Sequence, residues 1–398
     1  MKKQKKWIKK RHKIIRDIAF FIVYPYSKIK FGIDIIPFKD TQKRQYIILL
    51  NHQTVFDQFF VGMAVKGPIY YVATEDIFSN GFVSSLIRFA VEPIPIKKQT
   101  TDLRAVMNCI KVAKEGGTIA IAPEGNRTYS GKTEYMNPAI APLVKKLGLP
   151  ILLFRIEGGY GVQPRWTDKV RRGKMKAYVS KVIEPEQLKE FSDDQLYDII
   201  QKELYVNEAY SDAIFKSNRK AEYLERAIYV CPHCGLSQFE SSGDIIRCKK
   251  CSLTVKYLEN KKLECQDKEF KFEFVNDWYE YQKGYVNNLE LTEFEEKPIY
   301  TENVQLSEVI VYKKKNLLEK STQISLYGDK ITISQNEYKF CDITAISVLG
   351  RNKLNIYIND KIYQIKGDKR FCALKYVNIY YRYKNIVKGD KNVEFLGL

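Results

Sequence analysis

The sequence predicts an α/β domain, in which helices flank a layered sheet, followed by a small zinc ribbon and a β-rich C-terminal domain. Between residues 46 and 184, short apolar runs alternate with helical patterns, which is typical of α/β layers. Two Cys-x-x-Cys pairs begin at Cys231, and strand-type alternation begins at about Val304. The chain has 398 residues, more than the roughly 100–200 of one ordinary domain. We therefore expect several domains.

Five apolar runs of the α/β region are predicted to be strands. They are Tyr46–Leu50, Ile69–Ala73, Val91–Ile96, Thr118–Ala122 and Ile151–Ile156. Asn137 as N-cap and Pro138 at the first helical position predict a helix over 138–147, which Gly148 ends. The polar segment 185–225 has helical spacing and closes this domain.

The tail of the chain is predicted to be mostly β. Strands are expected at Gln323–Leu326, Lys330–Ser334, Lys353–Ile358 and Lys361–Lys366, with a helix over about 371–384. Several strands followed by one helix resemble a pleckstrin-homology-like or GRAM-like module. We divide the chain into a membrane-surface segment (1–29), the α/β domain (30–226), the ribbon (227–260), a connecting segment (261–303) and the β-rich domain (304–398).

The formal net charge of +19 predicts attraction to a polyanion, such as nucleic acid, anionic lipid or an acidic substrate. Residues 1–13 concentrate lysine and arginine beside Trp7, and the apolar stretch Ile18–Tyr24 follows. That stretch is shorter than the roughly 18–20 residues of a spanning helix, and no small-residue cleavage site closes it. We expect a segment that lies on an anionic membrane surface. A solvated basic tail that leads into a core helix is the alternative.

His52 is the candidate general base. The chain has three histidines, of which His12 lies in the basic tail and His233 lies between two cysteines. His52 directly follows a predicted strand, where open α/β sheets place their sites. Asp57 can meet it if His52 precedes a helix and Asp57 lies in the first turn. The alternative is a capping box, with Thr54 as N-cap and Asp57 three residues on.

A second candidate loop, Ala122-Pro-Glu-Gly-Asn-Arg127, follows another predicted strand. It combines a carboxylate at Glu124, a conformationally free Gly125 and an arginine suited to phosphate. Alone, it also fits an ordinary turn from strand to loop.

Together, Asn-His52-x4-Asp57 and Pro-Glu124-Gly125-x-Arg127, which lie 72 residues apart, resemble the 1-acylglycerol-3-phosphate acyltransferase family. The resemblance covers about residues 30–200 and includes a strand that ends at Lys98 and a proline-containing strand after Gly148. It implies an acyltransferase domain with a mixed sheet flanked by helices. In two departures from the family pattern, Lys98 stands where the family has arginine and Asn126 where it has threonine or serine.

The resemblance implies acyl transfer from acyl-CoA or acyl-carrier protein to a hydroxyl of a lysophospholipid-like acceptor, with lysophosphatidic acid as the first candidate. It implies that His52 is the general base, oriented by Asp57, and that no catalytic cofactor is needed. It also implies that the acceptor is bound by Lys98, Glu124, Gly125 and Arg127. The alternative is a non-catalytic scaffold that binds lipid or protein.

Cys231, Cys234, Cys248 and Cys251 have the spacing of a four-cysteine ribbon that holds one structural zinc ion. Such a site is closed, so we expect a scaffolding role. Paired cysteines of this kind fit a reducing cytosol, which places the protein peripherally on the cytoplasmic face of the membrane. The ribbon lacks interleaved basic and aromatic residues, so nucleic acid is not the expected partner.

Overall fold

A computed structural model describes residues 6–40, 42, 44–98 and 102–389. Residues 1–5 of the predicted basic tail lie outside this range. The chain divides into two compact units, the first comprising 1–164, 172–208 and 311–313 and the second 165–171, 209–310 and 314–398. The predicted ribbon lies in the second unit, as does the predicted β-rich segment apart from 311–313.

The first unit is built on a seven-stranded mixed sheet with the strand order β1-β7-β6-β2-β5-β3-β4. Neighbouring strands are parallel except β6 and β7, which are antiparallel. The strands are β1 (Ile33–Ile35), β2 (Ile47–Leu50), β3 (Ile69–Thr74), β4 (Ile94–Ile96), β5 (Thr118–Ile121), β6 (Ile151–Glu157) and β7 (Met175–Ile183). The central strand β2 is fully apolar and buried, because layers cover both of its faces.

Eight α-helices in the described part of the first unit accompany this sheet. They are α1 (Lys10–Phe31), α2 (Asp57–Ala64), α3 (Phe82–Val91), α4 (Leu103–Lys114), α5 (Ile140–Leu147), α6 (Gly159–Val162), α7 (Pro185–Glu190) and α8 (Asp193–Leu204). Helices α5 and α8 cover one part of the core together with apolar residues of β2 and β6. Helix α4 packs on another part, with Trp7 and residues of β3 and β5. The prediction of a mixed sheet flanked by helices is confirmed.

Among the residues described, no helix is both long and apolar enough to cross a bilayer. The apolar stretch Ile18–Tyr24 is the middle of α1, which Gly32 ends in a left-handed conformation.

The described residues of the second unit form three antiparallel sheets and two α-helices. Its cysteine-rich part holds β8 (Val230–Cys231), β9 (Gly235–Leu236), β10 (Phe239–Ser242), β11 (Ile245–Cys248), β12 (Thr254–Tyr257) and β13 (Leu263–Glu264), followed by α9 (Val275–Asn287). A seven-stranded sheet follows, made of β14 (Tyr300–Glu308), β15 (Asn316–Leu326), β16 (Lys330–Ile333), β17 (Asn336–Lys339), β18 (Ile343–Leu349), β19 (Lys353–Ile358) and β20 (Lys361–Lys366). The helix α10 (Ala373–Val387) comes last. The predicted β-rich domain with a final helix is confirmed.

The structure corrects three predicted elements. The helical pattern expected over 185–225 ends at Leu204, and residues 209–225 belong to the second unit. The strand expected over Val91–Ile96 begins only at Ile94, because α3 runs through Val91. The helix expected over 138–147 begins at Ile140 with Ala139 as its N-cap. Asn137 instead stabilises the turn before the helix, where its Oδ1 accepts a hydrogen bond from the Ala139 N–H at 3.0 Å.

Candidate active site

The two candidate loops meet at one edge of the sheet. Because β2 and β5 are adjacent and parallel, their carboxyl ends bring His52 and Glu124 together. The backbone N–H of His52 donates to Oε1 of Glu124 at 2.9 Å. Two motifs 72 residues apart in the sequence therefore share one site.

His52 and Asp57 form a hydrogen-bonded pair. Nδ1 of His52 lies 2.7 Å from Oδ2 of Asp57. The His52 side chain is 28% exposed, whereas that of Asp57 is 2% exposed. Within the described part of the chain, Nε2 of His52 has no hydrogen-bond partner. One ring nitrogen is thus held by a buried carboxylate, and the other is left for a substrate hydroxyl.

The turn before α2 explains how His52 and Asp57 meet. Phe56 is the N-cap and Asp57 the first helical residue, so the prediction that Thr54 is the N-cap is wrong. The Asp57 carboxylate accepts from the backbone N–H of Gln53 at 2.7 Å and of Thr54 at 2.9 Å. The Thr54 hydroxyl donates to it at 2.8 Å. Asp57 therefore stabilises this turn and also fixes the His52 ring.

Burial lowers the pKa of His52 below its usual 6.5, and the positive charges of Arg127 and Lys98 lower it further, against the opposing effect of Asp57. The imidazole is thereby kept neutral at physiological pH, which is the form that accepts a proton.

Glu124 is buried, and burial raises its pKa to about 8. Its Oε2 has no hydrogen-bond partner among the residues described here. Gly125 follows in a left-handed conformation with φ of 65°, and a Cβ at this position would meet nothing within 4 Å. The glycine is thus required by the turn and faces open space.

The two departures from the family pattern are in contact with each other. Nζ of Lys98 donates to Oδ1 of Asn126 at 2.5 Å. Arg127, the next residue, is 6% exposed. Lys98 and Arg127 both act on the pKa of His52, so the positive charges of the predicted acceptor site lie near the candidate base. Sequence reasoning noted both exchanges but did not pair them.

Sequence reasoning also missed two supporting residues. Asn51 is fully buried, and its amide exchanges two hydrogen bonds of 2.8 Å with the backbone of Ile156, which ties the end of β2 to β6. Glu208 accepts hydrogen bonds from the backbone N–H groups of Gly158 and Tyr160, where α6 begins. Asn51 directly precedes His52, so its position in the sequence could have indicated a supporting role. Glu208 lies in a segment with no motif that would indicate such a role.

The four predicted cysteine ligands converge in the second unit. Sγ of Cys231 lies 3.5 Å from that of Cys251, and Sγ of Cys234 lies 3.6 Å from that of Cys248. All four sulfur atoms lie within 4.8 Å of one another. A tetrahedral zinc site with Zn–S bonds of about 2.3 Å requires sulfur atoms roughly 3.8 Å apart. The cluster is therefore the right size for one ion.

The other two histidines do not form a comparable pair. Nδ1 of the buried His12 lies 3.0 Å from the Tyr70 hydroxyl and links the start of α1 to β3. Nε2 of His233 lies 3.6 Å from an Asp267 oxygen, beyond an ordinary hydrogen bond.

Comparisons with known proteins find a similarity to acyltransferases within the first unit. The Acyltransferase family model matches residues 33–156. Over 175 residues the chain is 20% identical to chloroplastic 1-acyl-sn-glycerol-3-phosphate acyltransferases of Arabidopsis thaliana and Brassica napus, covering 43% of this chain and 48% and 50% of theirs. It thus spans about half the length of these relatives.

A solved structure, the 1-acyl-sn-glycerophosphate acyltransferase PlsC of Thermotoga maritima, aligns with a TM-score of 0.39 and 22% identity, over 48% of this chain and 75% of that one. The family match includes β2 with His52 and the loop after β5 with Glu124. Residues 33–156 of the chain therefore match the Acyltransferase family, and this region is similar to 1-acylglycerol-3-phosphate acyltransferases.

Proposed function

We propose that this protein transfers an acyl group from acyl-CoA or acyl-carrier protein to a free hydroxyl of a lysophospholipid-like acceptor, with lysophosphatidic acid as the first candidate. The observation that carries the proposal is the His52–Asp57 pair beside Glu124 at the end of β2. An ordinary helix cap needs the hydrogen bonds of Asp57 but does not need a neutral histidine with one ring nitrogen free.

In the proposed mechanism His52 acts first as a general base and then as a general acid. Nε2 of His52 accepts the proton of the acceptor hydroxyl as its oxygen attacks the thioester carbonyl carbon. The tetrahedral intermediate then collapses, the C–S bond breaks, and the imidazolium returns the proton to the departing thiolate. Asp57 holds Nδ1–H and stabilises the imidazolium while it exists. No covalent acyl-enzyme is required.

The acceptor phosphate is assigned to Lys98 and Arg127. Arginine offers a planar fork to a phosphate, whereas lysine offers a point charge. Gly125 lets the backbone come close to the ligand, and the carboxyl of Glu124 remains available for an acceptor hydroxyl.

The second candidate is a scaffold that binds lipid or protein without turnover. Its support is the number of hydrogen bonds that Asp57 provides to its own turn, which fully account for a structural carboxylate. Under this reading the His52 ring has no chemical role.

We also propose that the protein acts peripherally on the cytoplasmic face of a membrane, with the exposed side of α1 on the lipid. Trp7, which was expected in the membrane-surface segment, is instead buried in the core beside α4. Much of α1 is exposed, including Ile18, Phe21 and Ile22, and basic residues lie at both of its ends. For the cysteine cluster we propose one structural zinc ion. The four thiolates would satisfy a tetrahedral ion completely, so the ion would stabilise the ribbon and take no part in acyl transfer.

A panel of acceptors tests the proposed function. Thiol release from a long-chain acyl-CoA or acyl-carrier protein is measured alone and with lysophosphatidic acid, lysophosphatidylcholine or glycerol 3-phosphate. We expect release that depends on the acceptor and is strongest with lysophosphatidic acid. Failure of every donor and acceptor pair would favour the scaffold.

A further inference from the structure

The helix α3 has its apolar side facing outward. Of its ten residues only Ser84 is buried, although seven of the others are apolar. Phe82 is 82% exposed, and Leu86 and Phe89 are more than half exposed at the spacing of one helical face. A helix of this kind inside a soluble domain leaves a contiguous apolar patch in water, which marks an interaction surface.

This patch continues onto α1. The guanidinium of Arg11 lies 4.2 Å from the ring centre of Phe89 and donates to its carbonyl oxygen at 3.0 Å. Lys9 pairs with Glu92, just after α3, at 2.8 Å. The exposed apolar residues of α1 lie at helical spacing along one face: Ile14, Ile18, Phe21, Ile22 and Ile29.

The charges around the two helices favour an anionic partner. Lys10, Lys13, Lys28 and Lys30 are exposed on α1. The acids of these helices and their ends, Asp17 and Glu92, are each paired with a neighbouring cation. Exposed apolar rows framed by lysines match a bilayer interface, in which side chains enter the acyl boundary and ammonium groups meet lipid phosphates.

We propose that α3 joins α1 in a single lipid-contact face and that the acceptor reaches the site from the bilayer beneath α3. The strand β4 starts two residues after Glu92 and leads directly to Lys98, so the contact helix and the phosphate-binding lysine are joined by one short strand. This inference rests on the proposed function for the identity of the acceptor, whereas the lipid contact itself does not require turnover.

The test measures binding without catalysis. Full-length protein is mixed with vesicles of phosphatidylcholine, or of equimolar phosphatidylcholine and phosphatidylglycerol, and the bound fraction is measured by flotation. Phe82→Ser/Leu86→Ser should weaken binding to both vesicle types at least tenfold, which is about 1.4 kcal/mol. Lys10→Gln/Lys13→Gln should reduce the preference for anionic vesicles, because Lys28 and Lys30 remain, and should leave binding to phosphatidylcholine vesicles unchanged. Ile214→Ser, at a comparably exposed position of the second unit, should bind like the wild type.

Wild-type binding by Phe82→Ser/Leu86→Ser, with unchanged circular dichroism, would overturn the proposal. A different outcome is a wild type that does not bind vesicles and forms a dimer, while Phe82→Ser/Leu86→Ser is monomeric. That result would overturn the lipid contact and assign the face to a second copy of the chain. Acyl transfer to hexanoyl lysophosphatidic acid, which is soluble below its micellar concentration, distinguishes the lipid-contact proposal from the proposed function. The rate of this transfer should be the same in Phe82→Ser/Leu86→Ser and in the wild type. A wild type that lacks this activity would count against the proposed acyl transfer but not against the lipid contact.

Discussion

Replacing Asp57 by asparagine separates its role in stabilising the turn before α2 from its role as the charged partner of His52. The side chain keeps its size but loses its charge, and one oxygen becomes an NH2 group. The NH2 group is best tolerated at the Oδ1 position, because the Thr54 hydroxyl there can rotate to accept, while Oδ2 continues to serve His52 and Gln53. The Thr54 backbone N–H then loses the nearer of its two acceptors, Oδ1 at 2.9 Å, and keeps only Oδ2 at 3.0 Å.

Loss of one buried hydrogen bond costs about 0.5–1.5 kcal/mol. At about 1.4 kcal/mol per factor of ten, the Thr54 amide of Asp57→Asn should exchange with deuterium roughly 2- to 12-fold faster. Loss of the charge that stabilises the imidazolium should lower kcat by on the order of 10²–10⁴. Residue-resolved hydrogen exchange and thiol release measure the two effects, with the exposed Asp193→Asn as control. Unchanged exchange at Thr54 would refute the hydrogen bonding described, and unchanged kcat would leave Asp57 only its structural role.

Four further outcomes are expected. Because burial lowers the pKa of His52, the acidic limb of kcat/KM should be centred below pH 6.5; an acidic limb centred above pH 7 would contradict a neutral base. The pKa of Glu124 is raised to about 8, so the folded state holds a proton that the unfolded state releases, and wild type should lose melting temperature relative to Glu124→Gln as pH rises from about 5 to 8. A constant difference would show that Glu124 is ionised. Lys98→Ala should raise KM for lysophosphatidic acid about tenfold or more with a smaller change in kcat, since hydrogen bonds to charged groups contribute about 1.5–3 kcal/mol; an unchanged KM would remove Lys98 from the site. Metal analysis should find one zinc ion per chain, which Cys248→Ser abolishes together with exchange protection over 230–257, and a metal-free but fully protected ribbon would refute the zinc assignment.

The first unit was predictable where apolar runs and motifs coincide. The runs that contain β2, β5 and β6 are apolar and bounded by turn signals, and His52 and Glu124 directly follow the first two. Parallel neighbours then bring both loops to one edge, which the sequence order alone does not require. The antiparallel β7 and the paired β1 were not predicted, since a strand of alternating polarity such as β7 resembles many surface segments.

The second unit was predicted less completely. Strands β19 and β20 were placed correctly because Asn359-Asp360 marks the turn between them. Strands β14, β17 and β18 were missed. In β14 the buried positions are separated by charged and polar residues, and β18 is buried at nearly every position, so its pattern lacks the alternation used to find strands.

The details of the site depend on contacts that no local pattern encodes. Lys98 and Asn126 are 28 residues apart and were recognised only as separate exchanges, although they share a hydrogen bond. The helix after His52 starts at Asp57, whose carboxylate accepts hydrogen bonds from the preceding turn. Thr54 and Asp57 therefore interact as expected, but Thr54 is not the N-cap.

The most direct test of the central claim compares His52→Ala with wild type for acceptor-dependent thiol release and for the formation of the diacyl product. Among the described residues, the His52 ring makes a single hydrogen bond and is partly exposed, so its removal should leave folding intact. His233→Ala, which removes a histidine of the second unit, is the matched control. We predict that His52→Ala loses turnover by on the order of 10²–10⁴ while His233→Ala keeps it. Equal turnover by His52→Ala and the wild type would contradict the assignment of His52 as the catalytic base.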